Sequence, residues 1–139
     1  MRWRGRENCM STEPVRALYA AFAKGDMPAA LATMAEDIVW TEAENFPYAD
    51  RNPYVGPQAV LTGVFARIGA DWENFAVTSE ELIDGGGTVV SLGRYTGVCK
   101  ATGKPLRAQF AHVFRVKNGK IVVFQQYADT LGAAQAMQP

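Results

Sequence analysis

The sequence predicts an α+β domain in which a curved antiparallel sheet wraps over helices packed at its start. Two observations carry this. Apolar residues recur at three- and four-residue spacing only in the first half of the chain. From residue 75 onward the chain is a succession of β-branched and aromatic runs separated by turn sequences, and helices segregated from a meander of strands indicate α+β architecture. A third observation fixes one hairpin within the sheet. Asn118-Gly119, the pair that best tolerates two successive positive φ angles, sits between two apolar runs in the stretch from Leu106 to Thr130.

The first predicted helix opens at the cap candidates Ser11 and Thr12, takes Pro14 in its first turn, repeats Val15, Leu18, Tyr19 and Phe22, and ends at Lys24-Gly25-Asp26. Pro28 opens a short second helix, Ala29 to Met34. Ile38-Val39-Trp40 begins a strand leading into Thr41-Glu42-Ala43-Glu44, and Asn45 to Pro57 reads as a loop with three prolines and two tyrosines, either solvated or an aromatic lid. A third helix, Gln58 to Gly69, carries Val60, Leu61, Val64, Phe65 and Ile68 on one side. Four strands follow: Phe75 to Ile83, Thr88 to Lys100, Leu106 to Lys117 and Lys120 to Thr130. In the third of these Leu106, Ala108, Phe110, His112, Phe114 and Val116 share the buried face, which leaves the chain's single histidine in need of a partner. Residues 1–10 are expected as a solvated extension, 11–132 as the domain and 133–139 as a tail.

A chain of 139 residues suits one domain with a self-sufficient core. Fourteen basic residues balance fourteen acidic ones, so no field gathers nucleic acid or an anionic membrane. No run is long and apolar enough for a membrane span, and Cys9 and Cys99 form neither a disulfide framework nor a metal motif. A cytoplasmic setting is expected, with no cofactor and no metal. The outer face of the last two strands mixes Val113, Ile121, Val123 and Tyr127 with Arg107, Gln109, Arg115 and Gln125, which predicts a homodimer packed sheet on sheet.

Five segments carry a family resemblance: Tyr19 to Asp26 (YAAFAKGD), Met34 to Trp40 (MAEDIVW), Gly56 to Val60 (GPQAV), His112 to Ile121 (HVFRVKNGKI) and Tyr127 to Asp129. Together they resemble the SnoaL-like branch of the nuclear-transport-factor-like superfamily over nearly all of Ser11 to Thr130. The resemblance implies a cone-shaped barrel with a pocket between the helices and the concave face of the sheet, and often dimerisation through the other face. It spans ketosteroid isomerase, polyketide cyclases, limonene-epoxide hydrolase and non-catalytic domains, so it constrains fold more than function. It places Glu42 where the isomerase keeps its general base and His112 where the isomerase keeps an oxyanion donor. Leu18 falls at the isomerase's helix tyrosine, with Tyr19 one residue, ~100° of helix, further on. The epoxide hydrolase's catalytic carboxylates are replaced by Thr96 and Gln126, which disfavours that chemistry.

The candidate site therefore comprises Glu42, His112 and Arg94, with Trp40, Tyr19, Phe110, Phe114, Phe124 and Gln126 as ligand contacts. Each has a plainer reading beside it. Glu42 is either a pocket base or a strand-end acid beside Glu44, and His112 is either a donor or a core histidine bonded to Gln126 or a carbonyl. Arg94, following Val90 and Leu92, either points inward as an anchor or pairs with Glu42, and Asp129 either orients a pocket residue or caps the following segment. Two functions follow: a cofactor-independent isomerase or lyase acting on a small, mostly apolar carbonyl compound of polyketide or steroid type, or a non-catalytic ligand-binding or dimerisation domain.

Overall fold

The computed structural model describes residues 2–139, and side chains from Ser11 onward, so the exposure of the first ten side chains lies outside the described residues. Helix α1 (Arg2–Lys24) runs through Ser11, Thr12 and Pro14 instead of starting at them, and buries Val15, Leu18 and Ala21. Gly25, at φ +70°, ends it. Helix α2 (Met27–Ala32) starts earlier than its sequence suggests because the Asp26 carboxylate accepts from the Ala29 amide at 3.1 Å, and Met34 belongs to the next strand. The third helical stretch is α3 (Pro57–Val60), a π-helical turn (Leu61–Phe65) and α4 (Ala66–Asp71). Gly63 in that turn lies against the Tyr54 ring, where a Cβ would come within 2.2 Å of Tyr54 Cε1. The re-phased helix turns Val60, Val64, Phe65 and Ile68 all toward the core.

Six strands form one curved, unclosed sheet: β1 (Met34–Thr41), β2 (Tyr54–Val55), β3 (Trp72–Asp84), β4 (Thr88–Cys99), β5 (Pro105–Lys117) and β6 (Lys120–Ala128), in spatial order β2-β1-β6-β5-β4-β3. The sheet is antiparallel except that β1 runs parallel to β6, and this pairing sets the N-terminal strand, with Glu42 just beyond it, between β2 and β6. The β5–β6 turn is as expected, with Asn118 at φ 54° and Gly119 at φ 75° between the paired Lys117 and Lys120. One expectation on this hairpin fails. A bulge between Arg115 and Val116 sets Ile121 opposite Val116, so Ile121 is wholly buried instead of lying on the outer face.

The long loop is neither solvated nor loose. Tyr48 and Tyr54 are buried, Tyr48 donates to Asp71 at 2.8 Å and accepts from Trp72 Nε1 at 3.0 Å, and Arg67 holds Asp50 through its two terminal guanidinium nitrogens. The stretch expected as a tail forms helix α5 (Thr130–Met137), which buries Ala133 and Ala136. Its N-terminus is capped by Asp129 accepting from the Gly132 amide at 3.0 Å, so Asp129 caps a helix.

Candidate functional site

A cavity of about 50 Å³ lies between α1, the α3–α4 stretch and the concave face of the sheet. Its walls are Leu18, Phe22, Val64, Phe65, Ile68, Phe75, Val77, Phe114 and Phe124, with Phe46 closing it from the loop. Tyr19 and Phe22 of α1 and Phe75 and Val77 of edge strand β3 are the half-buried members, which places the mouth between that helix and that strand. Five polar side chains meet this apolar lining: Glu42, His112, Gln126, Tyr19 and Tyr95.

At one end Trp40 on β1 and Glu42 just past its last residue both reach the cavity, as continued period-two geometry gives. Trp40 stacks on Phe124 with centroids 3.7 Å apart, and its indole Nε1 donates to Glu42 Oε2 at 3.0 Å. Asn52 holds the backbone of Glu42 from both sides, accepting from its amide at 2.9 Å and donating to its carbonyl at 2.8 Å. Glu42 is 2% exposed and forms no ion pair among the described residues. Burial pushes its carboxyl up from an ordinary 4.5 to about 7, against the Trp40 hydrogen bond and the more distant field of Arg67.

At the other end His112 projects from the middle of β5 with its ring stacked on Phe110 at 3.9 Å. Tyr19 Oη lies 2.7 Å from Nδ1 and Tyr95 Oη 2.5 Å from Nε2. Burial pulls the imidazole from 6.5 down to about 3, so it is neutral, with one ring nitrogen donating and the other accepting. Gln126 constrains the neighbouring bonds. Its Oε1 accepts from the Ala43 amide at 3.0 Å, which leaves Nε2 to donate to Tyr95 Oη at 2.7 Å. With Tyr95 donating to Nε2, Nδ1 carries the proton and donates to Tyr19, and every member is matched; in the other tautomer Nε2–H donates to Tyr95, Tyr19 donates to Nδ1, and the Tyr95 hydroxyl proton is left to face the cavity.

Most of the expected residues converge here. Glu42, His112, Trp40, Tyr19, Phe114, Phe124 and Gln126 all line the cavity, Tyr19 and Leu18 both reaching it. Two do not. Phe110 packs behind His112 and is not part of the wall. Arg94 is on the opposite face of the sheet, in a surface depression with Gln109, Tyr127 and Asp129, because β4 turns Val89, Ser91, Gly93 and Tyr95 inward and the intervening residues outward. Arg94 therefore neither anchors a ligand in this cavity nor meets Glu42. The residue that sequence reasoning missed is Tyr95, wholly in the interior and in contact with the imidazole. The strand parity that misplaced Arg94 also hid Tyr95.

A curved sheet closed by N-terminal helices around an apolar cavity is the fold of the nuclear-transport-factor-like superfamily. The profile of the SnoaL-like domain matches residues 15–124, and the chain belongs to that family. It is 30% identical over 91 residues to Patulin synthesis protein F of Aspergillus clavatus, a match that covers 65% of this chain and 46% of that one, so it spans about half the length of this relative. A nuclear-transport-factor-like protein of Burkholderia thailandensis E264 superposes with a TM-score of 0.88 at 41% identity, covering 93% of this chain and 98% of that one. IdmH, a putative polyketide cyclase of Streptomyces antibioticus, shares the fold with a TM-score of 0.78 at 20% identity, over 91% and 97% of the two chains.

Proposed function

We propose that the protein is an enzyme acting by general acid/base chemistry on a small, mostly apolar carbonyl compound, with Glu42 as the base. One observation carries this reading: a buried carboxylate without an ion pair among the described residues, tuned to about 7, faces an apolar cavity across from a tyrosine–imidazole pair. A structural acid would be paired or exposed. A base that is half ionised near neutral pH is suited to taking a proton from carbon beside a carbonyl. On the far wall both nitrogens of His112 are taken, so the group with a proton to offer the carbonyl oxygen is a tyrosine hydroxyl and the imidazole acts through it. Patulin synthesis protein F and IdmH, named for a biosynthetic pathway and for polyketide cyclisation, favour an oxygenated polyketide-like ligand.

The cavity is smaller than the roughly 300–1,000 Å³ of ordinary ligand sites, so a ligand of that class enters by displacing Phe22 from Phe75 at the mouth, where the two rings meet edge to face at 6.3 Å. The outer sheet face, with Leu92 and Tyr127 at its surface, is the proposed face of a homodimer, checked by sedimentation at micromolar concentration. No described helix is long and apolar enough to cross a membrane, and a cytoplasmic setting is proposed.

The test is deuterium incorporation from heavy water into a panel of aromatic and polyketide-like ketones, followed by mass spectrometry. Catalysed exchange that Glu42→Gln abolishes while ligand binding survives is the expected result. Binding without exchange in the wild type would favour the alternative of a non-catalytic binding domain.

A further inference from the structure

The hydrogen bonds on the His112 side continue beyond the two tyrosines. Ser91, wholly buried and in register with His112 across the β4–β5 pairing, presents its hydroxyl to that of Tyr19. Its Oγ lies 2.7 Å from Ser79 Oγ on β3. Ser79 and Tyr19 both line a depression on the outside of the protein beside Arg16 and Glu81. Hydroxyls and one imidazole thus run from Tyr95 in the cavity wall to the surface, hydrogen-bonded at 2.5–2.7 Å at every link except that between Tyr19 and Ser91. All its members are amphoteric at hydrogen, each able to accept one proton while passing on another. Gln126 lies outside the path: it donates to Tyr95 and, being an amide locked by the Ala43 N–H, transmits no proton.

We propose that Tyr95, His112, Tyr19, Ser91 and Ser79 form a proton relay between the cavity and the surface depression, with Tyr95 the catalytic residue that meets the ligand and the others acting through it. The relay rests on the acid/base reading above, since a cavity closed to bulk water needs another route for a proton. Its balance is simple. When Glu42 takes a proton from ligand carbon, the developing oxyanion takes the Tyr95 hydroxyl proton. Tyr95 oxygen then takes the proton of Nε2, Nδ1 takes that of Tyr19, Tyr19 takes that of Ser91, Ser91 takes that of Ser79, and Ser79 is reloaded from water. One C–H bond breaks and one O–H bond forms on the ligand, Glu42 holds the carbon's proton, the surface water is left as hydroxide, and no electron changes hands. The starting arrangement needs the Nε2–H tautomer and the finishing one is the Nδ1–H tautomer, so each passage flips the imidazole between the two, without an imidazolium or a phenolate persisting. Returning the chain to its first orientation delivers a proton outward, which suits a reaction that releases one.

The experiment needs no ligand, so its failure and that of the proposed function are distinguishable. The protein labelled with ¹⁵N in histidine gives one ring N–H signal from His112, and its exchange with water is measured by NMR. Ser79→Ala, at a half-exposed position, and Ser91→Ala are expected to slow that exchange by about tenfold or more, because the proton must then wait for local opening. Ser79→Thr, which keeps the hydroxyl, should restore the wild-type rate. Backbone amide exchange at Phe110 and Phe114 serves as the control, and should not change. Ring exchange at the wild-type rate in both alanine variants, or a slowing that Ser79→Thr fails to reverse, overturns the relay.

Discussion

The two ends of the cavity are made by the same physical force and come out differently. Burial disfavours charge at both, raising Glu42 to about 7 and lowering His112 to about 3. Near neutral pH the first group stands at its midpoint and the second is far from its own. The hydrogen bonds follow suit. Glu42 has one donor on its carboxylate, the Trp40 indole, and keeps accepting capacity for a ligand proton, whereas His112 has a hydroxyl on each nitrogen and nothing left over. A buried titratable group is poised to take up a proton of its own when its partners are too few, and can only pass one between them when they are sufficient.

The contrast can be broken most forcefully on the acid side. His112 gains a proton in the unfolded chain near pH 6.5 but in the fold only near 3, so the unfolded state binds more protons in between and stability falls as pH drops through that window. The contribution is on the order of 5 kcal/mol in the limit. Chemical denaturation from pH 7 to 3 should therefore show the wild type losing stability relative to His112→Gln, which has no such proton to take up. A constant difference between the two across that range would mean that the imidazole is not held neutral.

Glu42 predicts the opposite slope. Its folded pKa lies above its unfolded value, so its contribution is full below about 4.5 and fades as pH rises through about 7. Relative to Glu42→Gln, the wild type should lose about 3 kcal/mol between pH 4 and pH 8. Turnover should rise over the same interval, because only the carboxylate abstracts a proton, and Glu42→Gln should lower it by about 10²–10⁴. Melting curves for the pair at both pH values and a pH–rate profile check these. If the two proteins track each other in stability, the desolvation argument fails even where activity is lost.

How much of this was legible in the sequence depended on how each strand is covered. The hairpin of β5 and β6 was readable because Asn118-Gly119 fixes the turn, and with it the face that holds His112 and Gln126. Trp40 and Glu42 were readable because they end a strand whose period is plain. Strand β4 was misread for a specific reason. Its inward positions include Ser91 and Gly93, which are small because rings from other strands fill the space above them: a Cβ at Gly93 would lie 2.6 Å from Phe110 Cζ and 2.0 Å from the Thr78 carbonyl oxygen. The outward positions Val90 and Leu92 are the more apolar pair, so a hydrophobic count selects the wrong face and sends Arg94 inward and Tyr95 outward. Packing between strands is invisible to a count made along one.

Hairpin geometry gives a smaller effect that tests the frame on which the His112 end is built. Gly119 stands at φ 75° with open space around its Cα, so the cost of Gly119→Val comes from backbone conformation alone. About 1–3 kcal/mol of destabilisation is expected, with the His112 ring signal unmoved. A melting temperature equal to that of the parent would remove the positive-φ turn.

The smallest expected effect is the sharpest on the division between the two faces of the sheet. Arg94 is the one cation that sequence reasoning placed beside Glu42, and had it been there the carboxyl would be held down by its charge and Arg94→Ala would raise it further. In the fold it lies across the sheet, and among the described residues the cationic influence on Glu42 comes from Arg67, from a guanidinium already engaged with Asp50. Replacing Arg94 by alanine should change stability by no more than about 0.5 kcal/mol and leave the pH–rate midpoint of Glu42 where it was. Arg67→Ala, by contrast, removes a charge that favours the ionised carboxyl and should move that midpoint upward. A shift with Arg94→Ala and none with Arg67→Ala would reverse the assignment of faces along β4, and with it the place of Tyr95 at the imidazole.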